Sequence, residues 1–562
     1  MIGNIRRIYD TGKGIDNEFG YVFMDCKKNM YGCAKKIKRN FSNCNRGKKV
    51  TESGSAYPGQ FILSKTEVRL PNRWVFEKIG SWLLSRHPSL PKIRLMAGEG
   101  ERVIGWILGF PIDSEGVFWS DGSQIRVPWG SDWSDEAVEE FVYGFGGRFL
   151  VAFIQEPKMR VYLDPIGSLS MVYCAHQEIL ASTPNLIPYD ELTGDHIELA
   201  KDLGIPFTNA IYPLGLTPRH NIEQLIPNHY LDLENWSRVR HWPSRPLVDE
   251  ESVEKAVVAV ADTTRRHISA IVSKTPTYLR LTAGGDSRML LSCAKGVVDR
   301  LELFTVPIGD AGGYLDVYVA RKIAKRFGLR HLVPMFQESS KADLDEYMTR
   351  IGYGTGELRG WQTTTMFRRA NPAHAQLDGA VGALDRGAFY EQGDTTTSRI
   401  TPERLMKYCS GPCNERTLPP LRRWLESAPP LDTLQLLDLF YIEQRLGCWG
   451  GILPYAEAGD PGFVIFPMCH RDIITRLMTL PTEYRLHGYR TCEKYHSGPP
   501  PFMEEIIRRE WPELLEWPFN KPFGYAKVVL DTKRAVQTIV QKKDRFVEKV
   551  VRKVRNVCLV RH

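Results

Sequence analysis

Apolar positions between residues 60 and 245 come in short runs broken by turn residues. The runs are "FILSKTEVRL" (61–70), "RVIGWILGF" (102–110), "GRFLVAFI" (147–154), "RVYLDPIG" (160–167), "SLSMVYC" (168–174) and "NHYLDLENW" (228–236). Tight spacing and alternation, with little helical periodicity, predict an antiparallel β-rich domain over 59–245. The proline-marked segment "RHWPSRPLVDE" (240–250) reads as a linker. The rhythm then changes. A helix near Val253–Ser273, a strand at 277–282, a helix after Ser287 and a strand "LELFTV" (301–306) follow in order. Next come a helix at 314–327, with Val319, Ala320, Ile323, Ala324 and Phe327 on one face, and a strand "HLVPM" (331–335). Strand and helix alternating at this spacing predict a parallel sheet covered on both faces, so the expected class is α/β. Beyond residue 340 the pattern is mainly helical, and no internal repeat is visible.

Composition narrows this picture. A chain of 562 residues with 43% hydrophobic and 25% charged residues suits two globular domains. No run approaches the roughly eighteen apolar residues of a membrane span, and Met1-Ile2-Gly3-Asn4-Ile5-Arg6 is no secretory signal, so the expected location is the cytoplasm. The 11 cysteines are scattered, and Cys26, Cys33 and Cys44 lack zinc-site pairing, so reduced thiols are expected. The net charge of +8 is unevenly distributed. Residues 27–49 hold nine Lys or Arg and no acid, and residues 527–561 hold eleven against Asp531, Asp544 and Glu548. An acidic body thus carries two basic arms, read as an N-terminal extension (1–58) and a C-terminal helix (526–562).

Chemistry concentrates in "LTAGGDSR" (281–288), which joins an apolar strand to a run of helix formers. A loop that opens a helix at the carboxyl edge of a parallel sheet presents bare N–H groups backed by the helix dipole, an anion-binding arrangement. Ala283-Gly284-Gly285 lets backbone approach a phosphate closely, and Ser287 offers a hydroxyl. Asp286 would repel phosphates unless a divalent cation lay between, which points to Mg²⁺. The string is neither a Walker A loop nor a dinucleotide fingerprint.

The same residues resemble the S-G-G-x-D-S pyrophosphate loop of the asparagine synthetase family, with Thr282 for the Ser and Ala283 for the first Gly. "LFTVPIGDAGGYLDVYVARKIAKRFGLRH" (303–331) is similar to that family's continuation, with Asp316 and Ala320 opening the next helix. "GGRFLVAFI" and "DPIGSLSMVYCAHQEILASTP" resemble its N-terminal glutaminase-like domain. "QRLGCWGG", "FPMCHRDIITRLMTLPTEYR" and "IIRREWPELLEWPFNKP" resemble its C-terminal helices. The resemblance covers about residues 60–525. It implies an Ntn-hydrolase-like β-sandwich (59–245) and an adenine nucleotide α-hydrolase-like, PP-loop synthetase domain (250–525), with ATP and Mg²⁺ as cofactors. Thr282, Gly284, Gly285 and Ser287 would hold pyrophosphate and Asp286 the metal, while Leu281, Phe304 and Thr305 would lie near adenine and ribose.

The departures from the family are informative. Glutamine-using members begin Met-Cys-Gly, whereas this chain begins Met1-Ile2-Gly3, so glutaminase activity is not expected. That aligns it with relatives whose amine is already in the substrate, such as β-lactam synthetases and lasso-peptide cyclases. "LDGAVGALDRGAFY" (377–390) resembles the second acidic loop of the peptide-cyclising relatives. There the usual metal ligand falls on Ala383, and Asp385, two residues on, is the candidate substitute, with Arg386 beside it. The family's catalytic lysine is missing from "PPFMEEIIRRE" (500–510); Lys494 and Lys521 are the nearest, and Lys494 is the candidate. Arg445 and Trp449 are candidates to line the substrate cleft or to pack the helix. The implied activity is ATP-dependent amide formation, most specifically macrolactam closure on a ribosomal peptide. The expected partners are a peptide or small acidic substrate and a leader-peptide-binding or protease protein, with no membrane span. Three other readings stay open: an ammonia-using synthetase, an inactive peptide-binding homologue, and a nucleic-acid-modifying enzyme, against which the sandwich resemblance argues.

Overall fold

The computed structural model describes residues 57–519 apart from 70–72, 99–101, 129–132, 156–157, 249–251, 308–310, 336–338, 357–359, 371, 392, 395, 496–499 and 518. Both basic arms, Lys521, Cys26, Cys33 and Cys44 lie outside the described residues.

The β-rich region contains two sheets. The first has six antiparallel strands in the order Glu223–Gln224, Val172–Cys174, Ile179–Ala181, Phe61–Ser64, Trp82–Arg86, Val75–Ile79. The second has seven, in the order Arg238–Arg240, His229–Asp232, Arg160–Leu163, Phe145–Phe153, Val103–Asp113, Lys92–Met96, Gln124–Arg126, antiparallel except for the last pair. Alternation on Phe145–Phe153 explains the layering. Leu150 and Ala152 share a core with Phe61, Leu63, Trp82 and Leu84 of the first sheet. Phe149, Val151 and Phe153 point the other way, onto Val138 and Val142 of the helix Asp135–Tyr143. The sheets therefore stack face to face, with a helix on the outer side of the second.

Six strands of this region follow the sequence reading. The hairpin Val75–Ile79/Trp82–Arg86 does not, because its outer strand is largely exposed and lacks a clean alternation. Residues 240–243 were expected to be linker but belong to the packed structure. Arg240 ends a strand and bonds to Glu443, while His241 and Trp242 are buried. The chain becomes exposed only from Ser244.

The C-terminal region is built on a five-stranded, wholly parallel sheet in the order His331–Leu332, Leu301–Phe304, Thr277–Arg280, Ala375–Leu377, Phe463–Ile465. Its last two strands fall in the part of the chain expected to be mainly helical. Each is three residues long and wholly buried, too short for a period to register. In chain order the sheet runs third, second, first, fourth, fifth, so its direction of growth reverses between Thr277–Arg280 and Ala375–Leu377. Helices Val253–Lys274 and Pro501–Glu510 pack against helix Gly285–Cys293, which leaves the first strand.

The β-rich and parallel-sheet regions are fastened together. Phe110 stacks on Phe463 at 3.6 Å, and the Gly147 N–H donates to the Cys469 carbonyl at 2.9 Å. A ten-residue π-helix, Tyr441–Gly450, adds a buried tie. In it, Glu443 accepts bonds from Arg240, Asn228 Nδ2 and Trp424 Nε1. No helix among the described residues is long and apolar enough to cross a membrane.

Candidate functional site

Strand Thr277–Arg280 ends in a turn that spends much of its own polarity on itself. Thr282 Oγ1 accepts from the Gly284 N–H at 3.0 Å and lies 2.9 Å from Ser287 Oγ, which in turn accepts from the Thr282 N–H at 3.0 Å. The Ser287 hydroxyl therefore braces the loop, a role the sequence reading did not assign to it. Asp316, on the helix Ala311–Phe327, accepts from the Ala283 N–H at 2.7 Å. Arg288 fixes the far side. It donates to the carbonyls of Ala283 and Trp517, at 3.0 and 2.7 Å, and stacks on Phe519 at 3.9 Å. After this bracing, helix Gly285–Cys293 starts at Gly284 with no side-chain cap, so its leading N–H groups keep the positive end of the dipole open.

Leu281, Phe304 and Thr305 knit the neighbouring strand ends. The Leu281 N–H donates to the Phe304 carbonyl at 2.9 Å, and the Leu281 carbonyl accepts from Thr305 Oγ1 at 2.7 Å. The Phe304 ring is buried against Tyr278 and Phe367. These side chains hold the sheet edge, and whatever face they offer a base is backbone.

The fourth strand, Ala375–Leu377, sends the loop 378–387 across the same edge. Two of its glycines are cut to fit Asp286: a Cβ on Gly382 would sit 2.0 Å from Asp286 Oδ1, and one on Gly379 would sit 3.0 Å from Asp286 Cβ. Asp385 lies in this loop, 3% exposed. The charge of Asp286 reaches Asp385, so the loop lies on the same side of the sheet as the turn that carries Asp286. Each keeps one shielded oxygen, Asp286 Oδ1 and Asp385 Oδ2, without a hydrogen-bond partner. Burial is the main reason that both protonate more readily than ordinary aspartates. Asp385 is pushed up to about 7, with Asp286 adding to the shift and Arg386 opposing it. Asp286 is raised by burial and by Asp378, against the pull of Arg386. Arg386 donates to Asp385 Oδ1 at 2.9 Å and to the Gly382 carbonyl at 3.2 Å.

Asp378 went unrecognised in the sequence. It is the first residue after the fourth strand, accepts from Arg280 at 2.9 Å and presents a third carboxylate to the site. Arg280 also bonds to Glu457 at 2.6 Å and lies over the Phe367 ring. Only the position of Asp378 directly after an apolar strand could have marked it. Tyr441, at the start of the π-helix, faces the same charges, and burial and Asp286 push its hydroxyl up to about 12. Farther along that helix the Arg445 guanidinium stacks on Trp449 at 3.7 Å.

The helix Thr482–Tyr495 covers Asp385 and Arg386. A Cβ on its Gly488 would meet Arg386 Cβ at 3.5 Å and the Asp385 carbonyl at 3.7 Å. Lys494 lies near the end of that helix. Ala383 is in the loop between the two glycine contacts and Asp385.

No protein-family model matches this chain, and a search of curated proteins returns no match. The assignment therefore rests on geometry and on the motifs.

Proposed function

We propose that this protein is an ATP-dependent carbon–nitrogen ligase that adenylates a carboxylate and passes it to an amine, closing a macrolactam on a ribosomal peptide. One observation carries the reading. At the point where the parallel sheet reverses, the loop after the first strand and the loop after the fourth enclose two buried carboxylates beside an uncapped helix N-terminus. Ligands of open parallel sheets bind in such a crevice. In this reading the β-rich region is an Ntn-hydrolase-like sandwich without glutaminase activity, and the parallel-sheet region is a PP-loop synthetase domain.

The donor set suits Mg²⁺. Two desolvated carboxylates with unpartnered oxygens are costly unless a cation joins them, and Mg²⁺ is commonly held by one or two carboxylates plus phosphates and water. Asp286 and Asp385 would hold the ion, which when bound neutralises phosphate charge. The open N-terminal N–H groups of helix Gly285–Cys293 would orient the phosphates. The substrate carboxylate attacks the α-phosphorus, the bond to pyrophosphate breaks, and these donors stabilise charge on the departing group. The amine then attacks the acyl carbon and AMP leaves. Arg386, held between Gly382 and Asp385, keeps the second loop in register. The reaction belongs to the cytoplasm, where ATP is supplied, with a leader-peptide-binding protein or protease as partner.

The test is exchange of radiolabelled pyrophosphate into ATP. Exchange that requires an acidic peptide, and that Asp286→Ala abolishes, supports the reading. Exchange with free aspartate alone would instead identify an ammonia-using synthetase, and absence of MgATP binding an inactive peptide-binding homologue.

A further inference from the structure

The six-stranded sheet ends on strand Val75–Ile79, and among the described residues no strand pairs with its outer edge. The strand is joined to Trp82–Arg86 by the two-residue turn Gly80-Ser81, with Gly80 at φ +57° and Ile79 opposite Trp82. In an antiparallel pair closed this way, alternate residues spend their backbone groups on the partner strand: Ile79, Glu77 and Val75. The N–H and C=O groups of Phe76 and Lys78 are then directed outward. Their side chains share one face, and both are exposed. Phe76 is 73% exposed and Val75 42%.

A lysine on an edge strand commonly guards against unwanted pairing. A guarded edge does not also present a bare phenyl ring beside outward-facing donors and acceptors. The charge around the strand narrows the occupant. Arg73 and Lys78 are exposed, and Lys92 and Arg94 share a single acid, Glu77. Four cations against one carboxylate favour an acidic guest.

We propose that this edge docks an extended, acidic polypeptide segment by strand addition, with main-chain bonds to Phe76 and Lys78, an apolar side chain on Phe76, and carboxylates on Lys78 and Arg73. Naming the guest as the part of the peptide substrate outside the ring rests on the ligase reading; the docking itself requires neither ATP nor Mg²⁺.

The experiment uses the full chain without nucleotide and a fluorescein-labelled short peptide alternating glutamate with valine, followed by fluorescence anisotropy. A peptide alternating lysine with valine is the comparison. Lys78→Pro removes an outward donor while sparing the bonds to Trp82–Arg86. It should weaken glutamate-peptide binding about tenfold or more, the equivalent of one to two hydrogen bonds. Phe76→Ser and Lys78→Glu should weaken it as well, and circular dichroism melting should show the three variants folded. Equal binding of the two peptides, or unchanged affinity in all three variants, overturns the proposal. So does a concentration-dependent dimer that Lys78→Pro dissolves, which would assign the edge to a second copy of the chain. Failure here leaves pyrophosphate exchange untouched, so the two readings fail separately.

Discussion

Replacing Asp385 by Asn should make the ligand-free protein more stable while abolishing its chemistry. The Asp385 carboxyl is 3% exposed and titrates at about 7 against an ordinary 3.8. A shift of about three pH units, at about 1.36 kcal/mol each, puts the cost of ionising it in the folded state near 4 kcal/mol. The sign follows from proton uptake. Between the two values the folded chain holds a proton that the unfolded chain has lost, so wild-type stability falls as pH rises and levels off above about 7. Asparagine cannot ionise and escapes this loss, and the pull of Arg386 on the carboxylate is already contained in the shift. The gain expected at pH 8 is about 4 kcal/mol, and it should grow by about 2 kcal/mol between pH 5.5 and 8. Urea unfolding of both proteins at the two pH values measures it. MgATP should then stabilise the wild type and not the variant. A variant that is less stable at pH 8, or whose advantage is independent of pH, would refute the account of a desolvated, cation-seeking pair.

Gly382→Ala would set a methyl group 2.0 Å from Asp286 Oδ1, so the carboxylate must move. MgATP affinity by calorimetry should fall about tenfold or more, and because the methyl also meets buried Met503 the melting temperature should fall by a few degrees. Glu443→Gln strips charge from a fully buried acceptor of Arg240, Asn228 and Trp424, and should cost about 3 kcal/mol by urea unfolding. Arg288→Met keeps the volume but frees the Trp517 and Ala283 carbonyls. It should raise protease cleavage near residue 517 and slow pyrophosphate exchange.

Much of the scaffold was readable because long elements carry period. The helix Val253–Lys274 buries one recurring set of positions, the strand Phe145–Phe153 is a long run buried throughout, and both lie close to where the apolar residues put them. The strand Ala375–Leu377 was not readable, because three buried residues carry no period and gain their meaning from pairing with Thr277–Arg280. The turn around Asp286 was legible from its glycines and its misfit carboxylate. The bracing by Thr282 and Ser287 was not, since nothing in the string says which way a hydroxyl turns. Asp378 and Tyr441 were missed for the same reason as the fourth strand: their relevance is spatial, set by the loop crossing above Asp286.

The reversal of the sheet also fixes when the crevice can form. Arg280 and Asp378 are 98 positions apart, yet they close the same crevice. The first half of the site therefore waits, fully synthesised, for a strand that emerges much later from the ribosome. A chain stalled or cut before residue 375 would own the turn around Asp286 and no facing wall. If the protein is the ligase proposed above, competence would switch on with a single late pairing at the middle of the sheet, and a growing chain would not consume nucleotide on its way to completion.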